Sequence, residues 1–271
     1  MVYLNGKLLP IEEARVPVLD RGFIFGDGVY ELVPVYSRVP FRLDEHLRRL
    51  ERSLAGVKIR NPYSRAQWSE IVYRVIDAQP FEDQGVYFQV TRGVAKRDHA
   101  FPKDAQPTVF MMSNPLVNPP SELVERGAAA VSAQDNRWLR CDIKSISLIG
   151  NVLLRQLSAQ AGAAETILFR DGKLTEASAS NVFIVKDGVV AAPPTSSRCT
   201  RSAASAGFPG NRPGTASRRR CGQGRSLPLQ LLRERQMGHQ RGAQRERLLP
   251  RHCQPPRAVQ RGDGQQERRT G

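Results

Sequence analysis

The apolar patterning of this chain stops at Pro194, and that break limits how much of it can fold. In DGVVAAPPTSSRCTRSAASAGFP (Asp187 to Pro209) the opening residues read as the end of a β-hairpin, but from Thr195 arginines and small residues replace the hydrophobic alternation. Residues 195 to 271 hold 17 Arg, four acids (Glu234, Glu246, Asp263 and Glu267) and no Ile, Lys, Tyr or Trp. A segment of that composition buries too little apolar surface to offset its chain entropy, apart from a short helix expected around Leu227 to Arg235. The core is therefore expected within residues 1 to 194. Charge divides at the same point: of the formal +15, only +2 lies before Thr195. A strongly basic chain ordinarily points to an anionic partner such as nucleic acid. Here the excess belongs to the tail, and the first 194 residues are nearly neutral, as in a soluble enzyme.

A chain of 271 residues can form one large domain or two small ones with a sizeable interior. Cys141, Cys199, Cys221 and Cys253 have neither close pairing nor metal-ligand spacing, which favours a reducing compartment. No run approaches the length of a membrane span and no leader precedes the first strand, so the cytoplasm is the expected location.

Asn5-Gly6 between apolar residues predicts a two-residue hairpin turn. Leu43, Leu47, Leu50, Leu54 and Val57 recur at helical spacing with charges between them, and predict an amphipathic helix. A second helix follows, with Ser64 as its N-cap and Trp68, Ile71, Val72 and Val75 as its buried stripe. Val86 to Arg92 and Thr108 to Met112 read as strands, and the Pro-rich SNPLVNPP after them marks a domain boundary. Beyond it, Ile149 to Ala161 predicts a helix with Val152, Leu153 and Leu157 inward. Thr166 to Phe169 and Val182 to Lys186 are expected as strands joined by turns at Asp171-Gly172 and Asp187-Gly188. Strands and helices mix without regular βαβ alternation, so the fold class is α+β. The expected division is 1–115 for a small N-terminal domain, 116–194 for the start of a larger domain, and 195–271 for a disordered tail.

The chain contains no GxxxxGK[ST] phosphate loop, zinc spacing or GxSxG elbow. It does contain five polar segments in an unusual joint spacing: RGFIFGDGVYE (Arg21 to Glu31), EHLRRL (Glu45 to Leu50), TRGVAKRDHAFP (Thr91 to Pro102), RCDIKSISLIGN (Arg140 to Asn151) and LTEASASNVF (Leu174 to Phe183). In this order they resemble the class IV aminotransferases, the fold-type IV enzymes that depend on pyridoxal phosphate. Within that family the similarity is greatest to the D-amino acid aminotransferases.

The resemblance implies a two-domain fold, a homodimer with its site at the domain interface, and exchange of an amino group between a D-amino acid and a 2-oxo acid. It makes Lys144 the residue that forms a Schiff base with pyridoxal phosphate, because an amine both condenses with an aldehyde and carries a proton. It makes Glu176 the carboxylate facing the pyridine nitrogen, and Ser180 a further cofactor contact, while Ala179 stands where a serine is common. Arg97 and His99 of KRDHAF, with Tyr30, would bind the substrate α-carboxylate. Arg49 would reach the cofactor phosphate, although between Leu47 and Leu50 it reads equally well as a solvated helix residue. Glu31 shares the motif without a catalytic step, and Phe23, Phe25, Gly26 and Gly28 are expected to shape the pocket wall.

The family's later phosphate-binding segments, a Leu-x-Gly-Ile-Thr helix start and a Ser/Thr pair, have no counterpart after Pro194. A G+C-rich coding sequence read out of frame yields such a tail, and that origin is expected over a nucleic-acid arm, which would usually carry Lys and stacking aromatics. Branched-chain aminotransferase or aminodeoxychorismate lyase activity, and an inactive remnant with a basic tail, remain open as alternatives.

Overall fold

In the computed structural model, the structure describes residues 1–186 and 189–193 and the backbone of 219–220. The chain starts with the hairpin that Asn5-Gly6 demands. Both residues take positive φ (47° and 97°), joining β1 (Val2–Leu4) to β2 (Lys7–Leu9). A short helix, α1 (Arg21–Phe25), is capped by the Asp20 carboxylate, which accepts from the Gly22 N–H, and ends at Gly26 in the left-handed region. The strands β3 (Gly28–Tyr36), β4 (Val39–Pro40), β5 (Gln84–Thr91) and β6 (Thr108–Pro115) complete an antiparallel sheet ordered β2-β1-β6-β5-β3-β4.

Alternation along β3 sends Val29, Glu31, Val33 and Val35 to one face, opposite the buried Val86, Phe88 and Val90 of β5. Two helices cover that face: α2 (Leu43–Gly56), burying Leu47, Leu50 and Leu54, and α3 (Arg65–Asp77), burying Trp68, Ile71, Val72, Val75 and Ile76. The expected N-cap Ser64 is present and works reciprocally: its hydroxyl accepts from the Gln67 N–H while the Gln67 side chain accepts from the Ser64 N–H. Nineteen buried apolar side chains form one cluster between sheet and helices, and Ile143 joins them from much later in the sequence.

After Leu116–Pro120 come α4 (Ser121–Arg126), β7 (Ala130–Gln134), α5 (Ile149–Gln160), β8 (Glu165–Arg170) and β9 (Lys173–Ala177). β7 and β8 pair in parallel and β8 and β9 antiparallel, the latter around Asp171-Gly172, both with positive φ. β10 (Ile184–Lys186) pairs with β11 (Val189–Ala191), and the backbone of β12 (Arg219–Arg220) adds to it. Apart from that two-residue strand, the expectations for the tail lie outside the described residues, as does the Asp187-Gly188 turn.

The expectation for α5 needs correction. Its inward residues are Leu154 and Ser158, whereas Val152, Leu153 and Leu157 are 59%, 63% and 45% exposed. The helix is seated on β8 by its other face, where the Thr166 hydroxyl donates to the Leu154 carbonyl. Its apolar stripe therefore looks outward.

Candidate active site

The segment carrying Lys144 is strapped onto strand β3. The Tyr30 N–H donates to the Lys144 carbonyl (2.9 Å), the Ile146 N–H donates to the Gly28 carbonyl (3.1 Å), and Ser145 bridges Val29. This uses the edge of β3 that β5 leaves open. From α2, the Ser53 hydroxyl accepts from the Lys144 N–H. Two glycines permit the close approach: a Cβ on Gly28 would lie 2.7 Å from the Val90 carbonyl oxygen and 2.9 Å from Ile146, and one on Gly26 would lie 2.6 Å from the Ser147 hydroxyl. Gly26 and Gly28 are thus the positions where a side chain would collide with the segment after Lys144 or with β5.

With its backbone held, Lys144 places Nζ 4.0 Å from the centroid of the Tyr30 ring, a cation–π contact. Tyr30 in turn packs on Tyr87 (5.7 Å between centroids). Burial, with the nearby Tyr30, pushes the Tyr87 phenol up to about 12, so it stays protonated at neutral pH and donates to Gln89.

Glu31, one residue on, points to the opposite face and is fully buried. It accepts from Arg49 through both oxygens (2.6 Å each) and from His46 Nδ1 (2.8 Å). Burial pushes the Glu31 carboxyl up, but the hydrogen bonds from Arg49 and His46 outweigh it and hold the group below the usual range. Arg49 is accordingly no solvated helix residue. Its Nε and Nη2 are directed at Glu31, and it lies one helical turn from Ser53, on the side of α2 that reaches Lys144.

Arg97 and His99 lie together on the exposed loop after β5. The Arg97 guanidinium is 5.5 Å from the Phe25 ring centroid and the His99 ring 5.3 Å from it. Among the described residues, no hydrogen bond, ion pair or ring contact joins either to Tyr30. A network that sequence reading did not anticipate holds this loop. Asp27 accepts from Arg21 and, through both oxygens, from Arg92, and Arg21 donates onward to the carbonyls of Asp98, His99 and Ala100. Burial raises the Asp27 carboxyl, yet Arg92 and Arg21 together bring it below its ordinary value. The signal was the charge in RGFIFGDG, but the partners lie 65 or more residues away.

Glu176, at the end of β9, is buried and accepts from Arg137 Nη1. Arg137 also lay outside the motifs, and its guanidinium is held by Asp135 through Nε (2.9 Å) and Nη2 (3.0 Å). Asp135 takes a further hydrogen bond from the Thr175 hydroxyl and an ion pair from Arg170. Burial opposes the Arg137 charge, but Asp135 and Glu176 more than compensate, so the guanidinium is firmly protonated. Nearby, burial pushes the Cys141 thiol up, away from thiolate chemistry. Ser180 donates to Glu165 Oε2 (2.8 Å), and the same carboxylate accepts from the Ser178 hydroxyl and the N–H groups of Thr166 and Ala179. The expected cofactor serine thus sits in a carboxylate-centred turn.

The model of the amino-transferase class IV family matches residues 28–205. The chain belongs to the class IV aminotransferases. The match extends past the Pro194 limit expected for the resemblance. The D-alanine aminotransferase of Bacillus licheniformis is 41% identical over 189 residues, 70% of this chain and 66% of that protein. The chain thus spans about two thirds of the length of that curated relative. Among solved structures, the branched-chain aminotransferase of the thermophilic archaeon Thermoproteus uzoniensis with norvaline superposes with a TM-score of 0.66 at 25% identity, covering 73% of this chain and 69% of that one. The 4-amino-4-deoxychorismate lyase of Pseudomonas aeruginosa has a TM-score of 0.62 at 26% identity, covering 75% and 73%.

Class IV aminotransferases depend on pyridoxal phosphate, and the solved structures of this fold include a branched-chain amino acid aminotransferase with pyridoxamine 5'-phosphate. The residues present suit that group: a primary amine fixed against an aromatic ring, and a buried carboxylate whose charge an arginine already balances. Among the described residues no helix is long and apolar enough to cross a membrane.

Proposed function

We propose that this class IV chain transfers an amino group between a D-amino acid and a 2-oxo acid, using pyridoxal phosphate in the cytoplasm. The observation that carries the reading is the seating of Lys144, backbone locked to β3 and amine against Tyr30. When bound, pyridoxal phosphate supplies an aldehyde for the lysine and an electron-withdrawing ring beside the substrate Cα.

The chain's own groups do the rest. Lys144 Nζ holds the cofactor and moves the proton that leaves Cα; its fixed backbone confines that transfer to one side of the substrate. Glu176 presents a negative charge to the ring nitrogen, Arg49 a positive charge to the phosphate, and Ser180 a hydroxyl beside it. Tyr30, Arg97 and His99 bind the substrate carboxylate, the guanidinium through two parallel N–H groups. Because Arg97 and His99 are exposed and do not touch Tyr30, we take a homodimer as the working form, in which exposed side chains of one copy meet the site of the other. The similarity to D-alanine aminotransferases favours D-amino acids; the fold likeness to branched-chain enzymes and to the lyase supports a second reading, in which L-leucine or aminodeoxychorismate is the substrate.

The test is the full chain loaded with pyridoxal phosphate and offered D-alanine, L-leucine and aminodeoxychorismate, each with a 2-oxo acid where one is needed. Turnover of D-alanine, lost in Lys144→Ala together with the visible absorbance of the bound cofactor, is expected. Preference for L-leucine or aminodeoxychorismate would move the assignment to the second reading. Absence of cofactor absorbance in the unaltered chain would overturn both and leave an inactive remnant.

A further inference from the structure

Glu176 is the buried carboxylate of the site, and what surrounds it is more ordered than its own role requires. Arg137 aims Nη1 at Glu176 Oε1, while Nε and Nη2 grip the two oxygens of Asp135 in a fork. Asp135 is itself immobilised: its N–H donates to the Phe169 carbonyl, and it accepts from the Thr175 hydroxyl and from the N–H of Arg137. Arg170 closes the arrangement by donating from Nε to the Asp135 carbonyl and from Nη2 to the Arg137 carbonyl. Thr175, which bonds Asp135, is the residue directly before Glu176. The cluster therefore constrains Glu176 twice, through the strand that carries it and through the cation that meets its carboxylate.

A carboxylate removed from water keeps its charge only if a partner balances it; otherwise it takes up a proton. Arg137 can supply that balance without moving, because a forked guanidinium has its geometry set before Glu176 is approached. We propose that Arg137 is a positioning residue that holds the Glu176 carboxylate aimed for the cofactor ring, with Asp135 as its anchor. This inference rests on the reading of Glu176 as the group facing the pyridine nitrogen. It adds to that reading a residue that lies between the motifs and whose spacing to Glu176, 39 positions, carries no local signal.

Pyridoxal phosphate binding is the direct readout, followed in the full chain by quenching of tryptophan fluorescence and independent of turnover. Arg137→Met and Glu176→Gln should each weaken binding by about tenfold or more, and the double variant should be no weaker than the worse single one, since both act through the same Glu176 carboxylate. Arg137→Lys, which restores the charge without the fork, should recover part of the loss, as a purely structural role would not. Melting of the cofactor-free chain shows whether Arg137→Met folds; should it not, Arg137→Lys alone and with Glu176→Gln provides the same comparison. Losses that add in the double variant, or unaltered binding in Arg137→Met, would overturn the proposal. The unaltered chain failing to bind pyridoxal phosphate would instead sink the assignment of the site, so the two failures are distinct.

Discussion

Glu31 and Arg49 lock together through two 2.6 Å hydrogen bonds on the face of β3 that meets α2. They lie among Val29, Val33, Leu47 and Leu50, where a lone charge would be costly. Glu31→Gln keeps the shape and removes the charge, leaving the guanidinium unbalanced. We expect a loss of about 3–5 kcal/mol, read from the urea midpoint at constant slope. An unchanged midpoint would show that the pair is not closed in solution.

Acid sensitivity follows from the same groups. Glu31, Asp27 and Asp135 are all held below their ordinary values, 4.5 for glutamate and 3.8 for aspartate, by arginine partners that outweigh burial. A carboxylate lowered in the folded state stabilises it fully above the unfolded value, and that stability drains as pH falls toward the folded one. Thermal midpoints should thus hold level down to about pH 4.5 as far as these groups are concerned and drop steeply below it. In Asp27→Asn the drop should be shallower and start from a lower plateau; an identical profile would exclude Asp27 from the acid transition.

The loop bearing Arg97 and His99 depends on one distant cation. Arg21 donates to three successive carbonyls there while bonded to Asp27. Arg21→Ala should speed amide exchange across residues 96–101 and lower kcat/KM for the amino acid by about ten- to a hundredfold, mostly through KM. Pyridoxal phosphate affinity should stay put. A fall in kcat with KM unaltered would mean that the loop does not bind substrate.

Helix α5 offers a paired comparison. Leu154→Ala empties a packed position and should cost about 2–5 kcal/mol, whereas Leu153→Ala, on the exposed face, should stay within about 0.5 kcal/mol. Equal losses would show that the outward stripe is covered in solution.

That helix also marks where sequence reading ran out. Spacing located α5 correctly but could not tell which of its faces meets β8, because Ser158 and Leu154 make a weaker pattern than the exposed Val152, Leu153 and Leu157. Elements with local grammar were legible: the Asn5-Gly6 turn, the leucine stripe of α2, the Ser64 cap. Motifs singled out Lys144, Tyr30 and Glu176, and the structure seats the Lys144 amine on Tyr30 and buries Glu176 against Arg137. Arg21, Asp27, Arg92, Arg137 and Asp135 were passed over because charge pairs formed between distant segments leave no period in the sequence. Ser180 shows the converse: its motif suggested a ligand, and only the fold brings Glu165 across to accept its hydroxyl.

The strap that seats Lys144 has a consequence for the order of events in the cell. Each partner it uses, the backbone of Gly28 and Tyr30 and the hydroxyl of Ser53, is synthesised before it. During translation, the N-terminal sheet and its two helices can be complete when the lysine segment leaves the ribosome, and the segment then docks on an edge already waiting for it. Lys144 is thereby delivered to a finished surface, whatever the ribosome appends after residue 194.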